Sequence, residues 1–123
     1  MERATFDDII RLKLRSDERA KDSIDIEIES IGKTMQFTAP TRDQQLDFIS
    51  AARSGKDISG SYPAFRQFVY DCCPILHSEE IQNQLAPAEP SEVVDKLFTP
   101  LEVIDLGDKL VEKFLKVGAD IKN

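Results

Sequence analysis

The side chains in this sequence best suited to chemistry are Cys72, Cys73 and His77, the last being the only histidine in the chain. Structural zinc takes four Cys or His ligands in a tetrahedral array, so this set is one short. Adjacent residues on a helix also point about 100° apart, and Pro74 interrupts the path to His77. A cysteine nucleophile needs a neighbouring base, and only His77 can be offered for that role. Consecutive Cα atoms lie about 3.8 Å apart, closer than the roughly 4.4–6.8 Å of an unstrained disulfide, so both cysteines are expected as free thiols. Cys72 then reads as a small apolar filler of the core. The acidic pairs Asp7-Asp8 and Glu79-Glu80 fall in first helical turns, where they complement the helix dipole. Sequence neighbours do not face one another on a helix, which argues against paired-carboxylate catalysis. Glycines 32, 55, 60, 107 and 118 are scattered and assemble no phosphate-cradling loop. The expectation is a chain with no catalytic residue, no metal ligand and no cofactor, whose work is to bind another protein.

Composition narrows the partner. With 123 residues, 41% hydrophobic and 32% charged, the chain matches a single globular domain over residues 1–123. A formal net charge of −7 would repel a phosphate backbone, so nucleic acid is not expected as a partner. The one basic stretch, Arg11, Lys13, Arg15, Arg19 and Lys21, is broken by Asp17 and Glu18 and reads as a solvated helix end and linker. Met1 to Arg15 is charged throughout and no apolar run approaches the ~18–20 residues of a membrane span. A reducing cytoplasm, without membrane contact, is the expected compartment.

The elements that must carry any binding face follow from hydrophobic period and capping chemistry. Thr5 and Asp8 form a capping-box pattern ahead of Phe6, Ile9, Ile10, Lys13 and Leu14, which recur at helical spacing. A polar linker reaches Asp22. Ile24, Ile26 and Ile28 then alternate with Asp25, Glu27 and Glu29, and Met35 and Phe37 alternate with polar residues beyond Gly32-Lys33, which predicts a hairpin over 23–39 with a two-residue turn at those two residues. Thr41 and Gln44 open a helix with Leu46, Phe48, Ile49 and Ala52, ending at Gly55. After a polar loop from Lys56 to Ser61, Pro63 suits the first turn of a helix bearing Phe65, Phe68, Val69 and Cys72 that Pro74 ends. Ser78 caps a short helix with Ile81 and Leu85, and Ser91 another with Val93, Val94, Leu97 and Phe98. Thr99-Pro100-Leu101-Glu102 starts the last helix, whose stripe is Val103, Leu106, Leu110, Phe114 and Val117 before a Gly118 cap. The fold class is therefore α+β: a mainly helical domain with one antiparallel β-hairpin near the N-terminus, an N-terminal helix and linker over 1–22 and a helical part over 41–118. The two terminal helices can dock on their own core or offer an apolar face to a partner in helix-in-groove fashion, with Phe6, Ile10, Leu14, Leu110 and Phe114 as the candidate partner-binding residues.

This order of elements, with Tyr70 to Leu76 (YDCCPIL), Glu89 to Phe98 (EPSEVVDKLF) and Pro100 to Ile104 (PLEVI), resembles the tail assembly chaperones of long-tailed bacteriophages. The resemblance covers most of the chain from Ile24 onward and assigns no binding residue. It implies a phage or prophage protein, made in the cytoplasm of the bacterial host, that binds the tape measure protein and keeps it soluble during tail assembly. It further implies the tail tube protein as a second candidate partner and a longer frameshifted product; self-association is a separate expectation of the residue reading. The alternative carried by composition alone is a non-enzymatic cytosolic interaction adaptor or a regulatory phage protein.

Overall fold

The computed structural model describes residues 2–54 and 58–115. Its elements are α1 (Phe6–Ala20), β1 (Ser23–Ile28), β2 (Lys33–Thr38), α2 (Arg42–Ser54), α3 (Ile58–Cys72), α4 (Glu79–Leu85), α5 (Val93–Leu97) and α6 (Pro100–Leu110). Short 3-10 turns at Pro74–His77 and Pro90–Glu92 precede α4 and α5, and α6 widens into a π-helical turn over Val111–Leu115. Among the described residues the fold is mainly helical α+β with one two-stranded antiparallel hairpin near the N-terminus. The expected ends at Gly55, Val117 and Gly118 lie outside the described residues, as do Lys56 and Asp57.

Three threonines start helices as their spacing predicts. Thr5 and Asp8 close a reciprocal capping box, as do Thr99 and Glu102. At α2 the Thr41 amide donates to Gln44 Oε1 (2.8 Å) and the Gln44 amide to Thr41 Oγ1 (3.2 Å). Ser78 accepts from the Ile81 amide at the start of α4. Ser91 does not act as a cap: it is buried inside the 3-10 turn, and α5 begins after it with no side-chain cap. Pro63 likewise does not open α3. The helix starts at Ile58 and takes Pro63 into its interior, so the polar composition of the preceding stretch, with Gly60 and Ser61, misled the expectation of a loop.

The hairpin has the expected faces but a different turn. Ile24 pairs with Phe37, Ile26 with Met35 and Ile28 with Lys33, so Glu29–Gly32 form a four-residue loop and Lys33 already belongs to β2. A two-residue turn at Gly32-Lys33 would also take its positive φ at Gly32 alone, so backbone conformation does not separate the two turns. The longer loop is the one that pairs Ile24 with Phe37 and Ile26 with Met35 across the strands; Gly32 sits in it at φ +63°, with its amide on the Ile28 carbonyl at 3.0 Å. The pairing is offset by an even number of residues from that of the shorter turn, so the same side chains still face inward.

A continuous core joins Ile26, Ile28 and Phe37 of the hairpin to Phe68, Val69, Cys72 and Cys73 of α3, Leu76, Val93 and Val94, and Val103, Leu106 and Leu110 of α6. Helix α3 is its centre, packed on α2 and α6 along its length. Gly107 lets α6 close on α3, since a Cβ there would run into the Phe65 ring. Phe48 of α2 stacks on Phe68 at 4.5 Å and meets Phe65 edge-on at 5.5 Å. Two of the candidate partner-binding residues belong to this interior. Leu110 is fully buried, and Phe114 is half-buried with its ring packed against the core. The expectation that they are exposed is corrected: the α6 stripe is consumed by the core because α3 presents an apolar surface for it to cover.

Candidate functional site

Helix α1 is built like its C-terminal counterpart and placed differently. Its first turn is closed by the Thr5 amide on Asp8 Oδ2 (2.8 Å) and the Asp8 amide on Thr5 Oγ1 (3.3 Å). That Thr5 backbone bond, with the hydroxyl after it, holds the Asp8 carboxyl below its usual range. Along the helix Arg11 pairs with Asp8 and Lys13 with Asp17, the second at 2.7 Å. Such exposed pairs, three and four residues apart, modestly favour a helix whose length alone makes it marginal in water.

None of the residues of α1 is buried. Phe6 is 77% exposed, Ile10 42% and Leu14 55%, and Ile9 and Leu12 stand exposed beside them. At 100° per residue Phe6, Ile9, Ile10 and Leu14 form one stripe, with Lys13 and Asp17 inside it and Arg11 and Arg15 on the opposite side. The structure thus brings together three of the five candidate residues, Phe6, Ile10 and Leu14, on one open face, and leaves Leu110 and Phe114 elsewhere. The last turn of α1 faces the body across a hollow. Ser16, Arg19 and Ala20 line a hollow of about 350 Å³ with Pro40, Gln45 and Phe114. The junction is tied by Lys113 Nζ to Asp22 Oδ2 (3.0 Å) and by the Ala39 amide to the Asp22 carbonyl (3.0 Å). The Lys113 bond is the main cause that lowers the Asp22 carboxyl, followed by the Ser23 amide.

The residues that could do chemistry are placed for structure. Cys72 and Cys73 are free and fully buried. Burial pushes the Cys72 thiol up to about 12, and Cys73 up to about 11, away from the thiolate that reactivity requires. His77 is exposed, stacks flat on Tyr70 at 4.1 Å, and places Nε2 2.6 Å from the Tyr70 carbonyl, so it braces the turn after α3. Among the described residues no cluster of three or more His, Cys, Asp or Glu side chains could hold a metal ion. Glu79 and Glu80 lie in the first turn of α4, and Asp7 and Asp8 in that of α1. Among the described residues no helix is long and apolar enough to cross a membrane.

One polar group escaped the sequence reading. The Tyr62 hydroxyl donates to Asp95 Oδ1 (2.5 Å) and Arg66 Nη1 to Asp95 Oδ2 (2.9 Å), which staples α3 to α5. Burial, then the Asp95 bond, pushes the Tyr62 phenol up to about 12. Residues 29 and 33 positions apart carry no local signal of such a contact. Comparison with family models, with curated proteins and with solved structures finds no match for the chain.

Proposed function

We propose that this chain is an assembly chaperone of the phage-tail type, which holds a tape measure protein soluble by laying the apolar stripe of α1 along the client's helices. The observation that carries the reading is the open stripe itself: Phe6, Ile10 and Leu14 are exposed on a capped, ion-paired helix that the core does not cover. A soluble protein with that much contiguous apolar surface on one element has reason to meet a partner. An amphipathic helix supplies the i, i+4, i+8 anchors of helix-in-groove recognition. The net charge of −7 contributes by keeping loaded complexes apart. The order of elements and the segments YDCCPIL and EPSEVVDKLF supply the resemblance that names the client.

Co-expression with a tape measure protein, followed by centrifugation, tests the reading. The client stays in the supernatant with the unaltered chain and moves to the pellet with Phe6→Ser/Ile10→Ser/Leu14→Ser. A client equally soluble with and without the chain ends the proposal.

A further inference from the structure

We infer that the outer edge of β1 takes up an extended segment of a partner protein in which basic and apolar side chains alternate. The inference stands on the hairpin and needs neither α1 nor its client. The Ala39 amide donates to the Asp22 carbonyl in register with the ladder, so the even-numbered residues of β1 turn their amides and carbonyls to β2 and the odd-numbered ones turn theirs outward. The outward edge of β2 is engaged by the turn after α3, where Cys73 Sγ donates to the Gln36 carbonyl at 3.9 Å. On β1 the Ser23 amide is held by Asp22 Oδ1 at 2.9 Å. Among the described residues nothing meets the amides and carbonyls of Asp25 and Glu27, and both residues are exposed. A row of this kind is what an added strand pairs with.

Alternation assigns the side chains of that segment. Positions opposite Asp25 and Glu27 lie on the wet face beside the two carboxylates and take lysine or arginine. Positions opposite Ile24 and Ile26 point the other way, over a hollow of about 510 Å³ that these isoleucines line with residues of α6 and its π-helical turn, and take apolar side chains. Beyond Ile26, Glu27 and Glu29 gather with Glu102, Asp105 and Lys109 around a second hollow, so the edge keeps an excess of negative charge along its length. The same charges oppose a second copy of this chain. Two β1 edges paired antiparallel along their free groups set Asp25 against the second copy's Glu27, twice by symmetry, and a parallel pair sets each carboxylate beside its like. The acidic edge excludes itself and admits a cation-bearing strand.

Amide NMR of the full chain tests it, with a seven-residue peptide of alternating lysine and valine as the probe. The peptide is expected to shift the Asp25 and Glu27 amides and to slow their exchange with solvent. Two control peptides are each expected to bind at least about tenfold more weakly: one with the same lysines and valines in two blocks, and one N-methylated at the lysines, which keeps the charges and removes the donors that face β1. Asp25→Asn/Glu27→Gln, which keeps the shape of the edge and removes its two charges, is expected to weaken the alternating peptide by a similar factor of about ten. Equal binding of either control, equal binding by the variant, shifts confined to other elements, self-association through β1 in the absence of peptide, or no shift up to about 1 mM peptide overturns the inference.

Discussion

Helices α1 and α6 are alike in sequence and opposite in fate. Each opens with a threonine capping box, and each carries apolar residues at helical spacing. Yet α6 buries Val103, Leu106, Gly107 and Leu110, while α1 buries nothing. Amphipathicity therefore marks a helix that wants a covering surface and does not say whose. The difference lies in what the stripes contain. The α6 stripe is free of charge from Val103 to Leu110 and includes Gly107, which admits the Phe65 ring. The α1 stripe has Lys13 and Asp17 within it, and burying both against an apolar core would strip two ions of water for one bridge.

The comparison is sharpest at the core end. Ile26→Asp is expected to unfold the protein, because an unpaired carboxylate at a position 6% exposed costs several kcal/mol, comparable to total stability. Its neighbour Glu27→Lys, on the wet face, should leave the thermal midpoint within a degree or two. Leu110→Ala should then cost about 2–5 kcal/mol in chemical denaturation, as for other fully buried leucines. Leu14→Ala in α1 should cost no more than about 0.5 kcal/mol. If the two leucines cost the same, the contrast between the helices is wrong.

Alkaline pH probes the core without mutation. Burial raises Cys72 to about 12 and Cys73 to about 11, so the unfolded chain releases these protons first. Stability is therefore unaffected below about pH 9 and falls progressively above it, until the folded values are reached. At about 1.4 kcal/mol per pH unit per thiol, the loss by pH 10 is on the order of 3 kcal/mol. Denaturation curves at pH 8 and pH 10 measure it, and Cys72→Ala/Cys73→Ala should flatten the dependence. A slope unchanged in that variant would remove the thiols as its cause.

Gly107→Ala tests the packing that separates the helices. Adding a Cβ against Phe65 should cost about 1–3 kcal/mol although alanine is the better helix former. A stabilised variant would mean that α6 can lift from α3 freely. The smallest stability effect belongs to Phe6→Ser/Ile10→Ser/Leu14→Ser: thermal melts within a few degrees of the unaltered chain, with association lost. A large drop in the melt would place α1 in the cooperative core after all.

Much was legible in the sequence because it is local. Thr5 with Asp8, Thr41 with Gln44, Ser78 and Thr99 with Glu102 each cap a helix through side chains three residues apart or fewer, and strand alternation puts Ile24, Ile26 and Ile28 on one face whatever lies beneath them. Capping and hydrophobic period together set the fold class. The misreadings arose where local signals compete. Gly32-Lys33 is a turn dipeptide, but pairing Ile24 with Phe37 and Ile26 with Met35 across the strands takes the longer loop. Pro63 suits a first turn, yet α3 begins five residues earlier. Ser91 is a good cap residue taken inside a 3-10 turn.

What the sequence by itself determined is where the helices and the hairpin start and which faces of them are apolar, since capping and periodicity act over three or four residues. Only the tertiary structure decided which of two similar stripes is interior. Leu110 is hidden and Leu14 is open because α3 offers a groove that Gly107 fits and no described element offers one to α1. Burial depends on the shape of a surface assembled from distant segments, and no spacing within either helix encodes that shape.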